Sequence, residues 1–563
     1  MTNRSYWTWL AAVVVLAAAL RGLFPTADPP WRSTVGVVWH DEGAWTHNAR
    51  NKALYGHWVQ DAWNPVYIAP VFTGLEYLSF DAFGVGLRQA RLVSEVFGVL
   101  SVVLLALGVR RIAGNAAGLY AGALAATNYV YVMYDRAAIM EGLMAACIVG
   151  SWFCSTRAER RPIWGAAAAV MAALAFFTKA AAAFYVASLG LVSILALVAS
   201  QPRDGDRGEP DSNHRAAAAW ALAGLVVSFG LAAALFVLPH WADYQFYNWQ
   251  VSVTRKPSYD MASLLQRVTW FPVLHDTFSR SWPELLLALL GAWQIASRWR
   301  GARDAERLLL LWVAMGSLEM LVHDVGNERR FVFLLPALAA FTGIALAARA
   351  FEFHRPSTLV GWLAQPLVFY SCYVVTAPLV RLLFLGAVHD HRLRETVRIS
   401  AVGALLAGSL TMFVLRKQGA ASLFMRRWGA AALFVLLLGW DLFQFAGWAH
   451  GRTYKNYAAM LALRTSVPPE TPIQGKLANG LALENRIRPI FIGHGFGNYV
   501  DRTQRADVRY ILTYTSPWLG YEGSQIVDVL DASPGWRIIM KFDVAESSSG
   551  HDTAVLIDKR ARD

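Results

Sequence analysis

An acidic doublet, Asp41-Glu42, preceded by His40, follows shortly after the first apolar segment of the chain. A carboxylate so placed can take a proton from a hydroxyl, a service worth about 10²–10⁴-fold in rate. Farther along, isolated charges interrupt otherwise apolar sequence: Asp135 and Arg136 with Glu141, then Lys179, then Arg329 and Arg330 beside His323, Asp324 and Glu328. A charge at the centre of a membrane helix costs roughly 2.5–3.5 kcal/mol, so each of these needs a partner. Lys179 could snorkel from a helix end or meet a lipid phosphate. Arg329 and Arg330 suit phosphate through the bidentate guanidinium fork, or they form a local salt-bridge cluster that ties their loop down. Asp41-Glu42 could equally cap a helix beginning near Ala44. The pattern implies carboxylate chemistry at the water–bilayer boundary, in a transferase fed by lipid.

The elements that must position these groups are membrane helices. Of 563 residues, 56% are hydrophobic and only 16% charged, where a soluble chain is about a quarter charged. Apolar runs of near-spanning length occupy 7–24, 92–109, 114–133, 138–154, 163–178, 181–199, 216–238, 283–297, 308–322, 331–349, 359–380, 398–415 and 429–448. A crossing takes about 20 residues, so about thirteen spans are expected. Alternate loops collect the cations, among them Arg110, Arg111, Arg157, Arg160, Arg161, Arg298, Arg300, Arg303 and Arg307. That alternation places the N-terminus in the cytoplasm and the C-terminal tail outside. The net charge of +12 is thus a topology signal and implies no nucleic-acid partner. The first run reads as an uncleaved anchor, because Arg21 closes it and no small-residue cleavage site follows. Cys147, Cys154 and Cys372 lie in or near spanning runs, which offers no disulfide framework.

All sizeable extramembrane mass then falls outside. The first outer loop, 25–91, carries an amphipathic pattern over 44–58 edged by Trp45 and Trp58, expected to lie in the headgroup plane, and a second mixed helix over 70–83. The division expected is a membrane domain over 1–448 and a small soluble α/β domain over 449–563. In that tail, strand-like runs occur at 489–493, 508–514, 525–529, 538–544 and 554–557. Its glycine-rich GHGFGNYVD segment follows no nucleotide-binding pattern and reads as a loop.

Four pieces in this order and on this face resemble the GT-C class of polyprenyl-phosphate-sugar-dependent glycosyltransferases, which includes protein O-mannosyltransferases and the lipid A aminoarabinose transferase. They are HDEGAW after the first helix, YDRAAIMEG between the third and fourth, FFTKAAAA ending the fifth, and ERRFVFLLPAL entering a late helix. The resemblance implies a mainly α, GT-C-type helical bundle and an inverting transfer from a polyprenyl-phosphate sugar to a hydroxyl of a lipid, glycan or protein. By the same resemblance, Asp41 is the base and Glu42 its understudy or positioner. Lys179, Arg329, Arg330 and Arg136 are the cations for the donor phosphate. Asp135, Glu141, His40 and His57 are candidates to meet sugar or acceptor, with Glu141 expected to face Arg136, Lys179 or the donor. No cofactor is implied beyond the lipid-linked donor, and no metal, since His40, His47 and His57 match no tight ligand spacing. Where some relatives carry Lys-Pro-Pro, this chain has Asn64-Pro65-Val66, which leaves its phosphate-binding set open. The localisation implied is a bacterial inner membrane. The rival reading, a transporter or lipid flippase, would show corresponding halves and mid-membrane polar residues; here the conspicuous charges sit near helix ends.

Overall fold

A computed structural model describes residues 2–30, 39–198, 211–252, 276–323, 328–348, 369, 372–373, 376, 398–399, 401–409, 427–493, 495–496, 499–515, 520–545 and 553–560. The chain is mainly helical, with one small sheet. Among the described residues six helices are long and apolar enough to cross a membrane, or seven if one bent pair counts as a span. The runs expected at 359–380 and 398–415 lie largely outside the described residues, so the expected thirteen is not reproduced.

The bundle is built from α1 (Asn3–Gly22), α5 (Leu87–Ala113), α6 (Asn115–Thr127), α7 (Tyr129–Asp135), α8 (Met140–Ala158), α9 (Trp164–Thr178), α10 (Ala183–Val198) and α11 (Asp211–Ala232). It continues in α13 (Asp276–Ala296), α14 (Asp304–His323), α15 (Leu335–Ala347) and α16 (Arg427–His450). Small residues set its tight crossings. Ala117 and Ala121 of α6 face α15, where a side chain on Gly343 would run into the backbone of both. The run expected at 114–133 is broken: α6 stops at Thr127 and Asn128 caps α7 by accepting the amide of Tyr131. A bend of 112° then separates α7 from α8.

The first outer loop departs from expectation. Instead of one interfacial helix over 44–58 it holds α2 (His40–Trp45) and α3 (His47–Tyr55), broken at Thr46. The α3 residues His47, Asn48, Ala49, Arg50 and Asn51 are buried. They lie under the C-terminal tail, where Arg50 donates to the carbonyls of Ala482, Asn485 and Ile487. α4 (Pro70–Phe83) occupies the range expected for it, and α12 (Trp241–Ser252) follows later in the chain.

In the tail, α17 (Lys455–Ser466) leads into five strands: β1 (Pro472–Gln474), β2 (Arg488–Ile490), β3 (Tyr510–Tyr514), β4 (Arg537–Asp543) and β5 (Thr553–Asp558), ordered β2-β1-β3-β5-β4. β1 is parallel to both neighbours, and β5 is antiparallel to β3 and β4. The strand expected at 525–529 is instead helical, in α19 (Gly520–Asp531). Ile526, Val529 and Leu530 are buried together at helical spacing, a period that a short apolar run does not reveal by itself. Between β1 and β2 sits a short helix, α18 (Lys476–Gly480).

Candidate active site

Four segments far apart in sequence deliver one charged cluster. Asp41 is the second residue of α2, and its Oδ2 accepts from Nη1 of Arg329 at 2.7 Å. The same guanidinium donates through Nε to Oε1 of Glu141. Lys179 Nζ reaches that oxygen at 2.5 Å. Arg330 is half-buried in the same turn as Arg329, and its charge acts on Lys179. Arg329 also lies over the ring of Trp45, 5.9 Å from its centroid.

Local structure explains each position. α9 ends at Thr178, and Lys179 takes an extended conformation (φ −158°, ψ 122°) that turns its side chain out of the helix. A three-residue 3₁₀ turn separates it from α10. Arg329 and Arg330 close the short turn Glu328–Arg330 ahead of α15, where Pro336 occupies the first helical turn. Glu141 sits in the first turn of α8, where a helix N-terminus favours an anion. The side chains of Asp41, Lys179 and Arg329 keep 18%, 25% and 14% exposure, while Glu141 is fully enclosed. The outward three can meet a ligand; Glu141 can only hold the two cations in place.

Other expected site residues are engaged elsewhere. Glu42 forms a two-pronged pair with Arg91, 2.7 Å at each oxygen, and accepts the amide of Ala138 at 2.9 Å. It ties α2 to the bend that precedes α8. Arg136, expected at the donor phosphate, donates to the carbonyls of Leu20, Arg21 and Phe24 at 2.6–2.9 Å and stacks on Trp448. The end of α1 leaves those carbonyls without helical partners, and Arg136 supplies them. Asp135, expected near sugar or acceptor, pairs with Arg21 at 2.8 Å, both side chains having no exposure. A side chain on Gly98 would strike that pair. Glu141 therefore meets Lys179 and Arg329, not Arg136.

His40 is buried beside Asp41, its Nε2 3.8 Å from Oδ1. His57 is exposed just past Gly56, which ends α3 in the left-handed conformation (φ 79°); no contact joins it to the cluster among the described residues. His323 and Glu328 have no described side chain, and Asp324 lies outside the described residues. Among the described residues no three His, Cys, Asp or Glu side chains gather as a metal site would require.

Sequence reasoning missed the scaffold beneath Asp41. α2 lies directly on α18 of the tail: a side chain on Gly43 would collide with the carbonyl oxygen of Asn479, and one on Gly480 with His40. His47 bridges Asn479 Nδ2 at 3.1 Å and Asp61 Oδ1 at 2.9 Å, while Asp61 Oδ2 accepts the amide of Phe491. Asp28 accepts from Thr453 and from the amides of Lys455 and Asn456 at the start of α17; burial raises its pKa above the usual carboxylate range, against those hydrogen bonds. Arg91, placed just before an apolar run, was the one signal in the sequence that could have announced Glu42's partner.

Glu76 of α4 is fully buried, and neither of its oxygens finds a hydrogen-bond partner among the described residues. Burial, reinforced by the charge of Glu42, pushes its pKa well above the usual carboxylate value.

Residues 68–204 match the family described as dolichyl-phosphate-mannose-protein mannosyltransferase. That stretch holds Asp135, Arg136, Glu141 and Lys179 but neither Asp41 nor Arg329. Comparison with curated protein sequences finds no match. Among solved structures the chain is similar to ArnT from Cupriavidus metallidurans, both bound to undecaprenyl phosphate and in the apo state. Each comparison gives 17% identity and a TM-score of 0.55, over 100% of this chain and 99% of that one. The apo oligosaccharyltransferase of Archaeoglobus fulgidus is similar at 13% identity and a TM-score of 0.49, over 96% of this chain and 73% of that one. The fold is the one found in ArnT, and the resemblance to GT-C membrane glycosyltransferases stands.

Proposed function

We propose that this chain, with a fold like that of ArnT and a mannosyltransferase-like segment, is an inverting glycosyltransferase. It moves a sugar from a polyprenyl-phosphate donor to a hydroxyl of a lipid, glycan or protein at the outer face of a bacterial inner membrane. The N-terminus is cytoplasmic, and the tail 449–563 is a separate unit on the outer side. The observation that carries this reading is the convergence of Asp41, Glu141, Lys179 and Arg329 in one partly open cluster.

Asp41 takes the acceptor's hydroxyl proton as the acceptor oxygen bonds to the anomeric carbon. The bond from that carbon to the phosphate oxygen breaks, and its electron pair leaves with the phosphate. A single displacement inverts the centre. The leaving group departs as a stable anion, so no general acid is needed. With both carboxylates ionised and Lys179, Arg329 and Arg330 protonated, the cluster carries one net positive charge, which one phosphodiester donor neutralises. After transfer Asp41 is neutral, the cluster gains a charge, and the phosphate monoester leaving group carries two. Charge balance is kept through the step in a site where imbalance would be costly.

Purified full-length protein, given a labelled polyprenyl-phosphate sugar and membrane extract, should transfer label to an acceptor with inversion at the anomeric carbon. Asp41→Asn should bind donor and transfer about 10²–10⁴-fold more slowly. Full transfer by that variant removes Asp41 from the mechanism.

A further inference from the structure

A second cavity, of about 320 Å³, opens where the end of α3, the loop between α4 and α5, and the tail meet. Leu54, Val85, Val467, Leu483 and Ile487 make its apolar floor, and Arg464 and Arg486 stand on its wall. It is remote along the chain from Asp41, at the far end of α3. Both arginines are exposed, and neither guanidinium makes a hydrogen bond or ion pair among the described residues. The one acid on the wall, Glu484, turns an oxygen to the amide of Leu87 at 2.7 Å, which caps α5.

The surroundings locate this cavity at the bilayer surface. Val85 comes just before α5, a candidate span. α4 beside it exposes Leu78 and Phe83 at 59% and 64%, and α5 exposes Val96 and Leu100 at 53% and 42%. Large apolar side chains left open on adjacent helices belong in hydrocarbon, so the mouth of the cavity sits at headgroup level. In the topology proposed above this is the outer face, where cations are ordinarily sparse. Two unpaired guanidiniums over an apolar floor then call for a ligand that is anionic at one end and apolar at the other.

We propose that this cavity binds the phosphate headgroup of an anionic membrane lipid, with Arg464 and Arg486 gripping the phosphate and the floor taking the glycerol end of the acyl chains. The bound lipid clamps the tail to the bilayer surface. This inference rests on the membrane reading alone and is independent of the transfer reaction, so its test measures lipid and not sugar.

Full-length protein is titrated in detergent with phosphatidylglycerol or phosphatidylcholine, and bound lipid is counted by native mass spectrometry. Wild type should retain phosphatidylglycerol in preference to phosphatidylcholine, and the double variant Arg464→Gln/Arg486→Gln should lose that preference, with about tenfold or more weaker retention. A control at Arg160→Gln, in a basic loop elsewhere, should retain lipid as wild type does. Unchanged retention in the double variant overturns the proposal. Displacement of the lipid by soluble glycerol 3-phosphate at equal concentration would also overturn it, by assigning the cavity to a free phosphate. Both arginines are exposed, and unchanged helicity and monodispersity of the variant separate loss of the site from loss of the fold.

Discussion

Arg329 holds Asp41 at 2.7 Å across 288 residues of sequence, and the same guanidinium is held from behind by the enclosed Glu141. The ion pair fixes where the Asp41 carboxylate sits. In the proposed mechanism a donor phosphate would compete for Arg329 and release Asp41 to act. On that proposal the pair would couple arrival of the donor to availability of the base.

That coupling separates two kinds of variant. Asp41→Asn should lower kcat by about 10²–10⁴-fold and leave donor affinity no weaker than that of wild type. Glu141→Gln should leave Asp41 in place but loosen Lys179 and Arg329, raising the KM for donor more than it lowers kcat. Steady-state kinetics with varied donor distinguish the two, and a pure kcat loss in Glu141→Gln would remove its assignment as the holder of the cations.

Lys179→Ala should weaken donor binding while the α9–α10 corner survives, because Lys179 already lies outside both helices. Direct titration with a polyprenyl phosphate checks this. Unchanged affinity would mean the ammonium serves only Glu141.

Glu42→Gln should act through stability. It breaks a buried pair with Arg91 whose side chains are 2% and 4% exposed, and leaving one buried charge unmatched costs about 3–5 kcal/mol. The expected result is a markedly lower Tm in detergent, with activity lost in proportion to folded protein. Loss of activity at an unchanged Tm would return Glu42 to the chemistry.

Gly43→Ala should abolish transfer without disturbing the bundle, since the added methyl meets the Asn479 carbonyl and must push α2 off the tail. Near-native helicity, faster proteolytic release of the tail and absent transfer are expected together. Retained activity would show that the tail is dispensable to Asp41.

Glu76 gives a pH signature. Its folded pKa lies above the unfolded one because burial and the neighbouring Glu42 disfavour the charge. The folded state therefore binds more protons, and stability falls as pH rises above the ordinary carboxylate pKa until the folded pKa is passed. Glu76→Gln should raise Tm, and by more at pH 8 than at pH 5. An equal gain at both would contradict a neutral, buried Glu76.

What the residue order determined by itself was the kind of molecule and the address of its charges. Apolar runs and their basic flanks point to a helical membrane protein; the cost of a charge next to hydrocarbon singled out Glu141, Lys179 and Arg329, and the acidic doublet singled out Asp41. The same signals singled out Asp135, Arg136 and Glu42 equally, and here sequence could go no further: it shows that a charge needs a partner but not whether the partner is ligand or protein. Only the tertiary structure gave Asp135 to Arg21, Arg136 to the carbonyls ending α1 and Glu42 to Arg91, and left an opening at Asp41, Lys179 and Arg329. The laying of α18 on α2 was equally invisible, because long-range contacts through glycine backbones carry no periodic signal; they exist only once two distant segments have packed.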